Sequence, residues 1–341
     1  MKKGNIHIIF ISLLLLISWF TSNGQQQMQL TQNYFNVMAY NPGYMGHRDA
    51  VNITGTFRNQ WSGLRIPNMP TGGTDGTTGT TGTNGDNTSV EDEYTSISPN
   101  AYMISGDLPI RALRGGIGLN IVSDNIGAFK NVTVNLGYAY QKVLANGGKL
   151  GIGAQLKFDN IVLDVGALAP SVDDPLISQM EENDFMADAN FGVFYSKPNS
   201  FFGGFSVYNI CETKGKSTMF QEQRSFNLHG GYQFHFLSYP TIKFTPSALI
   251  KTDLASFQVD LNAMVTVKDV YWGGLNYRLN DGLGLIFGLA WKDFFASFSY
   301  DIPMSKLIRG GNFGSFEFIV GYSFKFHSNK GKKTQKNTRY L

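Results

Sequence analysis

The sequence predicts an all-β protein, namely a transmembrane antiparallel β-barrel of about 14 strands with a short N-terminal periplasmic or plug segment. Three observations support this. Apolar and polar residues alternate along segments of about ten residues, the length of a tilted membrane strand. Aromatic residues and glycine are frequent (27 Phe, 16 Tyr, 39 Gly), whereas only 16% of residues are charged. The long connections between segments all fall on one side.

The first 24 residues have the features of a secretory signal peptide. Lys2 and Lys3 precede an apolar run over 8–20, and residues 22–24 supply a small-residue cleavage site. A membrane anchor is the alternative, but thirteen apolar-dominated positions fall short of the ~20 residues that a helical span needs. We therefore expect Sec-dependent export.

The mature chain divides into three parts. Residues 25–48 form an N-terminal segment, residues 49–326 form the barrel, and residues 327–341 form a basic periplasmic tail with five positive charges. We interpret 25–48 as a periplasmic lid or plug. A turn that only initiates the first strand is the alternative.

The motif of the N-terminal segment is an aromatic turn. Proline fixes φ and glycine permits positive φ, so we expect a tight, non-helical turn that presents two tyrosines. Its residues are Tyr40, Asn41, Pro42, Gly43, Tyr44 and Gly46. The first strand follows, with Val51, Ile53, Phe57 and Trp61 on one face and Asn52, Thr54, Thr56, Arg58 and Gln60 on the other.

The same two-faced pattern recurs along the chain and predicts the remaining strands. They lie near 51–62, 98–108, 114–123, 131–142, 150–159, 189–197, 200–210, 225–236, 240–251, 257–263, 269–279, 283–291, 292–302 and 316–326. A soluble sandwich could show such alternation, so the loops decide. With the first strand running outward, the outer connections include 63–97, 124–130, 160–188, 211–223 and 303–312, whereas the inner ones are short. This asymmetry is typical of an outer-membrane barrel.

The polar faces predict a salt-bridged interior. The charged residues expected to project inward are Arg58, Lys157, Lys243, Lys251, Arg278 and Lys325, with Asp159, Asp260 and Glu317. Mixed signs suit a narrow or plugged lumen, because an open ion-selective pore more often carries rings of one sign. We expect the central network to consist of Arg58, Gln60, Asp260, Arg278 and Glu317.

The sequence indicates no enzyme. It contains no nucleophile elbow, zinc-protease motif or phosphate loop, so we expect no catalytic, cofactor-binding or metal-binding residues. A barrel lipase would need a Ser–His pair that the sequence does not identify. The acidic connection 160–188, which includes Asp184 and Asp188, is expected to be solvated. A secreted chain without a basic body is not expected to bind nucleic acid.

Short motifs in order along the mature chain resemble the PorP/SprF family of type IX secretion membrane proteins. They are Tyr34-Phe35-Asn36, Tyr40-Asn41-Pro42-Gly43-Tyr44-Met45-Gly46, Arg58-Asn59-Gln60-Trp61, Gly116-Ile117-Gly118-Leu119, Ser123-Asp124-Asn125-Ile126-Gly127, Leu136-Gly137-Tyr138-Ala139-Tyr140, Phe191-Gly192-Val193-Phe194-Tyr195, Pro246-Ser247-Ala248-Leu249-Ile250-Lys251, Tyr277-Arg278, Tyr300-Asp301-Ile302-Pro303 and Gly314-Ser315-Phe316-Glu317.

The resemblance implies an outer-membrane protein of Bacteroidota that works with the type IX secretion and gliding-motility machinery. It implies a role in export or surface anchoring of an adhesin with a C-terminal sorting domain. The expected partners are that machinery, the adhesin and outer-membrane lipid, with the oligomeric state left open. The alternative function is a passive channel for small or hydrophobic solutes.

Overall fold

The computed structural model describes residues 28–67, 94–96, 98–164, 182–218, 220–304 and 314–325. The expected signal peptide 1–24, the Gly/Thr-rich tract 71–86 and the basic tail 327–341 lie outside these ranges. Within them, no helix is both long enough and apolar enough to span a membrane.

Strands make up most of this part of the chain. They are β1 Val51–Asn59, β2 Arg65–Pro67, β3 Tyr94–Ser96, β4 Asn100–Ile110, β5 Gly115–Ile126, β6 Phe129–Val143, β7 Lys149–Leu163, β8 Glu182–Ser196, β9 Phe201–Tyr208, β10 Ser225–Tyr232, β11 Phe234–Phe236, β12 Tyr239–Thr252, β13 Phe257–Val267, β14 Tyr271–Arg278, β15 Gly282–Trp291, β16 Phe294–Pro303 and β17 Ser315–Phe324. Three short 3₁₀ turns cover Val37–Ala39, Pro42–Tyr44 and Arg111–Leu113.

The sheet closes on itself. Strand β1 pairs with β4 on one side and with β17 on the other, and all pairings are antiparallel. Strands β10 and β11 are two parts of one strand interrupted at Gln233, and both pair with β12, which completes the ring. The 15 segments of the sheet therefore form a closed barrel of 14 strands, which confirms the predicted fold. Strands β2 and β3 pair antiparallel in a separate two-stranded sheet.

The outer face of the barrel wall is apolar and its inner face is polar, the reverse of a soluble protein. On β6, Leu136 is 52% exposed on the outside, whereas its neighbour Asn135 is only 8% exposed and faces inward. On β7, Leu156 is 57% exposed and Gln155 only 3% exposed. A soluble sandwich would bury the leucines and solvate the amides. The observed arrangement, with apolar side chains outside and amides inside, is the one expected for a barrel that is surrounded by lipid and has a polar interior.

A charged side chain on the outer face should therefore lower the stability of the barrel, and more so near the middle of a strand than near its end. Leu136→Arg, at the middle of β6, is expected to lower the folding free energy in bilayers by ~2–4 kcal/mol. Val143→Arg, at the end of the same strand, is the matched control and should cost only ~0–1 kcal/mol. Urea titration of both variants in lipid vesicles measures the difference. Equal costs at the two positions would contradict a lipid-facing surface.

All the long connections leave one end of the barrel, as predicted. The connections 60–99, 164–181, 209–224 and 304–314 leave one end, called here the long-loop end. The opposite, short-turn end has connections of two to five residues, such as 144–148 and 292–293. We expect the long-loop end to face outward, as in other outer-membrane barrels.

The predicted bounds of two connections are wrong. The expected outer loop 124–130 is a tight turn, because β5 and β6 keep their pairing up to Ile126 and Phe129. The expected loop 160–188 is shorter, because β7 continues to Leu163 and β8 already begins at Glu182. Paired strands satisfy their backbone groups in each other, which favours continuation of the ladder beyond the apolar pattern.

The prediction that Asp184 and Asp188 are solvated is also wrong. Both carboxylates are buried on β8, where they accept hydrogen bonds from backbone N–H groups of the 209–224 connection. Asp188 accepts from Cys211 at 2.9 Å, and Asp184 accepts from Thr218 at 2.6 Å. The two aspartates fasten this connection to the barrel wall.

The stretch from Met28 to Ala50, called the internal segment, lies inside the barrel. Near the long-loop end, the N–H of Thr31 donates to Glu317 at 2.9 Å. Near the short-turn end, the His47 ring nitrogen Nε2 lies 2.6 Å from the hydroxyl of Ser196, the last residue of β8. The segment thus runs along the lumen, reaches the short-turn end and there enters β1.

Candidate functional site

The motif turn of the internal segment docks on β8 and β9 through one side chain. Asn41 caps the 3₁₀ turn Pro42–Tyr44, since its Oδ1 accepts from the N–H of Gly43 at 2.8 Å. Its Nδ2 donates to the carbonyl of Val193 at 2.9 Å and to that of Phe205 at 3.4 Å. This amide therefore both caps the turn and fastens it to β8 and β9. The turn is a single 3₁₀ turn rather than the non-helical one predicted.

Glycines of the barrel wall let this turn approach the strands. A Cβ at Gly151 would clash with the carbonyl oxygen of Gly43, and one at Gly153 would clash with that of Pro42. The glycine of the motif with positive φ is Gly46, at +64°, which lies against Gly116. Gly43 is required for close approach rather than for the positive φ predicted from the sequence.

The two motif tyrosines point into the lumen. The Tyr40 hydroxyl accepts from the N–H of Leu30 at 3.2 Å, and the Lys251 ammonium lies 5.5 Å from its ring centre. The Tyr44 hydroxyl accepts from Nε of Arg48 at 2.7 Å. Both rings are buried, so they stabilise the packing of the internal segment instead of forming an outer contact surface.

The charges of the predicted central network fall in two clusters. In the first, Arg58 lies 2.9 Å from Asp301 and 3.3 Å from Glu317, with all three groups at most 11% exposed. Arg58 also donates to the hydroxyl of Thr31 at 2.9 Å, and that hydroxyl donates to Asp301 at 2.7 Å. The N–H of Gln32 adds a bond to Glu317 at 3.2 Å. This cluster connects the wall to the internal segment.

The second cluster holds Arg278 between two carboxylates, Asp260 at 3.4 Å and Asp281 at 2.8 Å. Asn33 donates to Asp260 at 3.4 Å and so connects this cluster to the internal segment as well. Gln60 lies beside a small cavity that Arg58 and Arg278 also line.

Sequence reasoning missed the central role of Asp301 and Thr31. Asp301 follows Tyr300 in a strand with period-2 alternation, so the pattern alone places it on the polar face. Its partnership with Arg58 depends on the neighbouring positions of β1, β17 and β16, which local alternation does not reveal.

The comparison with protein families decides the identity. The family model described as type IX secretion system membrane protein PorP/SprF matches residues 22–322. The chain belongs to the PorP/SprF family. The resemblance inferred from the short motifs is thereby confirmed, and with it an outer-membrane location.

Solved structures similar to this PorP/SprF protein are also barrels. A FadL homologue of Pseudomonas aeruginosa is 13% identical, with a TM-score of 0.46, covering 91% of this chain and 98% of that one. The monoaromatic hydrocarbon channel CymD is 10% identical, with a TM-score of 0.47, covering 87% and 94%. Among curated proteins, no significant match to the sequence exists.

Within the described ranges of the PorP/SprF chain, no three His, Cys, Asp or Glu side chains are arranged to hold a metal ion. The contacts between the wall and the internal segment include neutral and charge-assisted hydrogen bonds. This arrangement holds a polypeptide in place.

Adding one methyl group at Gly151 tests whether the position of the motif turn depends on its close approach to the wall. Gly151→Ala in this PorP/SprF protein should displace the turn, because the added Cβ collides with the Gly43 carbonyl. Gly55→Ala is the matched control, since its nearest neighbour would be an ordinary 3.6 Å contact. With a Tyr44→Cys reporter in a Cys211→Ser background, we expect thiol labelling to rise at least ~10-fold in the first variant only. Equal labelling would show that the turn does not depend on the close approach.

Proposed function

We propose that this protein is a non-enzymatic component of the type IX secretion and gliding machinery that supports export or surface anchoring of an adhesin with a C-terminal sorting domain. The observation that supports the proposal most is the occupied lumen. The internal segment fills it from Thr31 to His47 and is bound to the wall at both ends. A barrel filled by its own chain is suited to docking at its ends.

The long-loop end is the proposed site for the exported protein. Its connections are long in sequence, and the one over 209–224 is fastened to the wall by Asp184 and Asp188. A fastened connection presents a constant surface to a partner and loses little conformational entropy on binding. The short-turn end and the tail 327–341 are the proposed contacts for the periplasmic machinery.

Purification from the native outer membrane tests the proposal. The tagged barrel is isolated in mild detergent, and co-purifying proteins are identified by mass spectrometry against an unrelated tagged barrel. We expect a protein with a C-terminal sorting domain together with secretion components. A chain truncated after residue 326 should retain the adhesin and lose machinery partners. Recovery of the barrel alone at all salt concentrations would refute the anchoring role.

A passive channel for small or hydrophobic solutes is the alternative function. It requires a path past the internal segment, which the contacts of Asn41, Arg58 and Asp260 hold against the wall. Conductance of the unmodified protein in planar bilayers separates the two functions, since a channel should conduct without any deletion.

A further inference from the structure

A cavity of about 110 Å³ lies within the long-loop half of the barrel. Leu30 and Tyr40 of the internal segment line one side, and Phe220 and Glu222 of the 209–224 connection line the other. Inner-face residues of β4 to β7 and β9 complete its wall. None of the charge clusters described above contributes to this lining.

The ionisable groups of the cavity are mainly acidic. Asp124 and Glu222 line it together with one cation, Lys157. The Lys157 ammonium contacts Asp159 at 2.9 Å, the side-chain oxygen of Asn209 at 2.9 Å, and Glu222. Its three N–H donors are therefore already occupied, so Lys157 has none left for an anionic ligand.

Two buried polar groups in the same cavity have no partner. Among the described residues, none is hydrogen-bonded to the Tyr208 hydroxyl or to Oδ1 of Asn120. These side chains are 6% and 2% exposed, respectively. A buried polar atom without a partner is costly, typically ~1–3 kcal/mol, and its presence in a native structure points to a bound water, ion or ligand that completes the hydrogen bond.

Apolar surface lies beside these acceptors. Met103 and Val122 of the wall and Phe220 of the connection line the cavity next to the polar groups. Such a lining suits a ligand with an apolar stem and a head group rich in hydrogen-bond donors.

We propose that this cavity binds an organic cation, an alkylammonium or guanidinium group on a short apolar stem. The unpartnered oxygens accept its N–H donors, the excess of carboxylates neutralises its charge, and the apolar wall covers the stem. A fatty-acid carboxylate has no donor for the amide oxygen of Asn120, and it would lie beside the carboxyl groups of Asp124 and Glu222. Where the cation is a lysine or arginine side chain of the exported protein, the inference rests on the proposed function; a free amine offers the same chemistry independently of it.

Calorimetric titration of the purified full-length protein in detergent tests the cavity. We expect n-pentylammonium to bind at least ~10-fold more tightly than pentanoate, a probe of the same length and opposite charge. Glu222→Gln and Asp124→Asn should each weaken binding of the amine several-fold. Glu212→Gln is the matched control, since Glu212 lies in the same connection but pairs with Arg224 at the surface. Equal binding of the two probes, or no binding of the amine, would overturn the proposal.

The pH dependence gives a second measurement. Burial raises the pKa of Glu222, with Lys157 opposing the rise and Asp159 adding to it. Asp124, Tyr40 and Tyr208 are the other ionisable groups that line the cavity. A bound cation favours the ionised carboxylate, so n-butylguanidinium, which stays charged, should bind several-fold more tightly at pH 9 than at pH 7. Glu222→Gln should remove this dependence, and an unchanged dependence would contradict the role of Glu222.

Surface display in cells distinguishes the two sources of the cation. If the amine binds in vitro and Glu222→Gln abolishes adhesin display, the ligand is a side chain of the exported protein. If the amine binds and display is normal, the ligand is a free amine and the anchoring function stands unaffected. If the amine does not bind, the cavity proposal fails whatever the result for display.

Discussion

A barrel that lacks residues 28–46 is expected to conduct ions at least ~10-fold better than the intact protein, because about 14 strands enclose a lumen wide enough for water. The deletion removes the chain that fills this lumen, including the motif turn and Thr31. The barrel should still fold, since the internal segment contributes no strand to the sheet. The groups it leaves behind become solvated, and Arg58 keeps its two carboxylates.

Single-channel recording in planar bilayers measures this effect. The matched control is deletion of the tract 71–86, which removes a similar length of chain from an outer connection and should leave conductance unchanged. Heat-modifiable migration on gels verifies that both variants are folded. Unchanged conductance after loss of the internal segment would mean that another part of the chain blocks the barrel.

Replacing Arg58 by methionine is expected to destabilise the folded barrel by ~3–5 kcal/mol, because it leaves the carboxylates of Asp301 and Glu317 buried without their cation. The loss should also loosen the long-loop half of the internal segment. There, Thr31 depends on the same three groups for its hydrogen bonds. Unfolding by urea in lipid vesicles gives the free energy.

Two comparisons show whether the effect comes from the buried charge. Arg224→Met removes an exposed arginine that pairs with Glu212 at 3.3 Å, and it should cost ~0–1 kcal/mol. Combining Arg58→Met with Asp301→Asn and Glu317→Gln should recover much of the loss, since no unpaired charge then remains. A triple variant as unstable as the single one would attribute the effect to packing of the arginine stem.

The sequence predicts the wall of this protein better than its interior. Alternation along β6 and β7 places Leu136 outside and Gln155 inside, because a strand exposes its two faces in strict turn. The same rule places Arg58 and Glu317 in the lumen. It cannot show which inward groups meet, since that depends on the strand register, and so Asp301 was missed.

Predictions from residue type failed where a partner distant in the chain determines the role of a residue. Gly151 is one of many glycines, and only the docked turn shows that its missing side chain provides space. Asp184 belongs to an acidic stretch whose composition predicts exposure to solvent. Its burial depends on backbone N–H groups about 30 residues further along the chain, which no local pattern reveals.

The position of the internal segment constrains the order in which the barrel assembles. Its Thr31 contacts a residue 286 positions later in the chain, and the strand that follows it pairs with the last strand, β17. The seam between β1 and β17 therefore cannot form until the entire chain has been delivered. Contacts this distant in sequence make closure slow, because a long loop must be ordered before they form. The internal segment is joined directly to β1, so its placement in the lumen is coupled to closure of that seam.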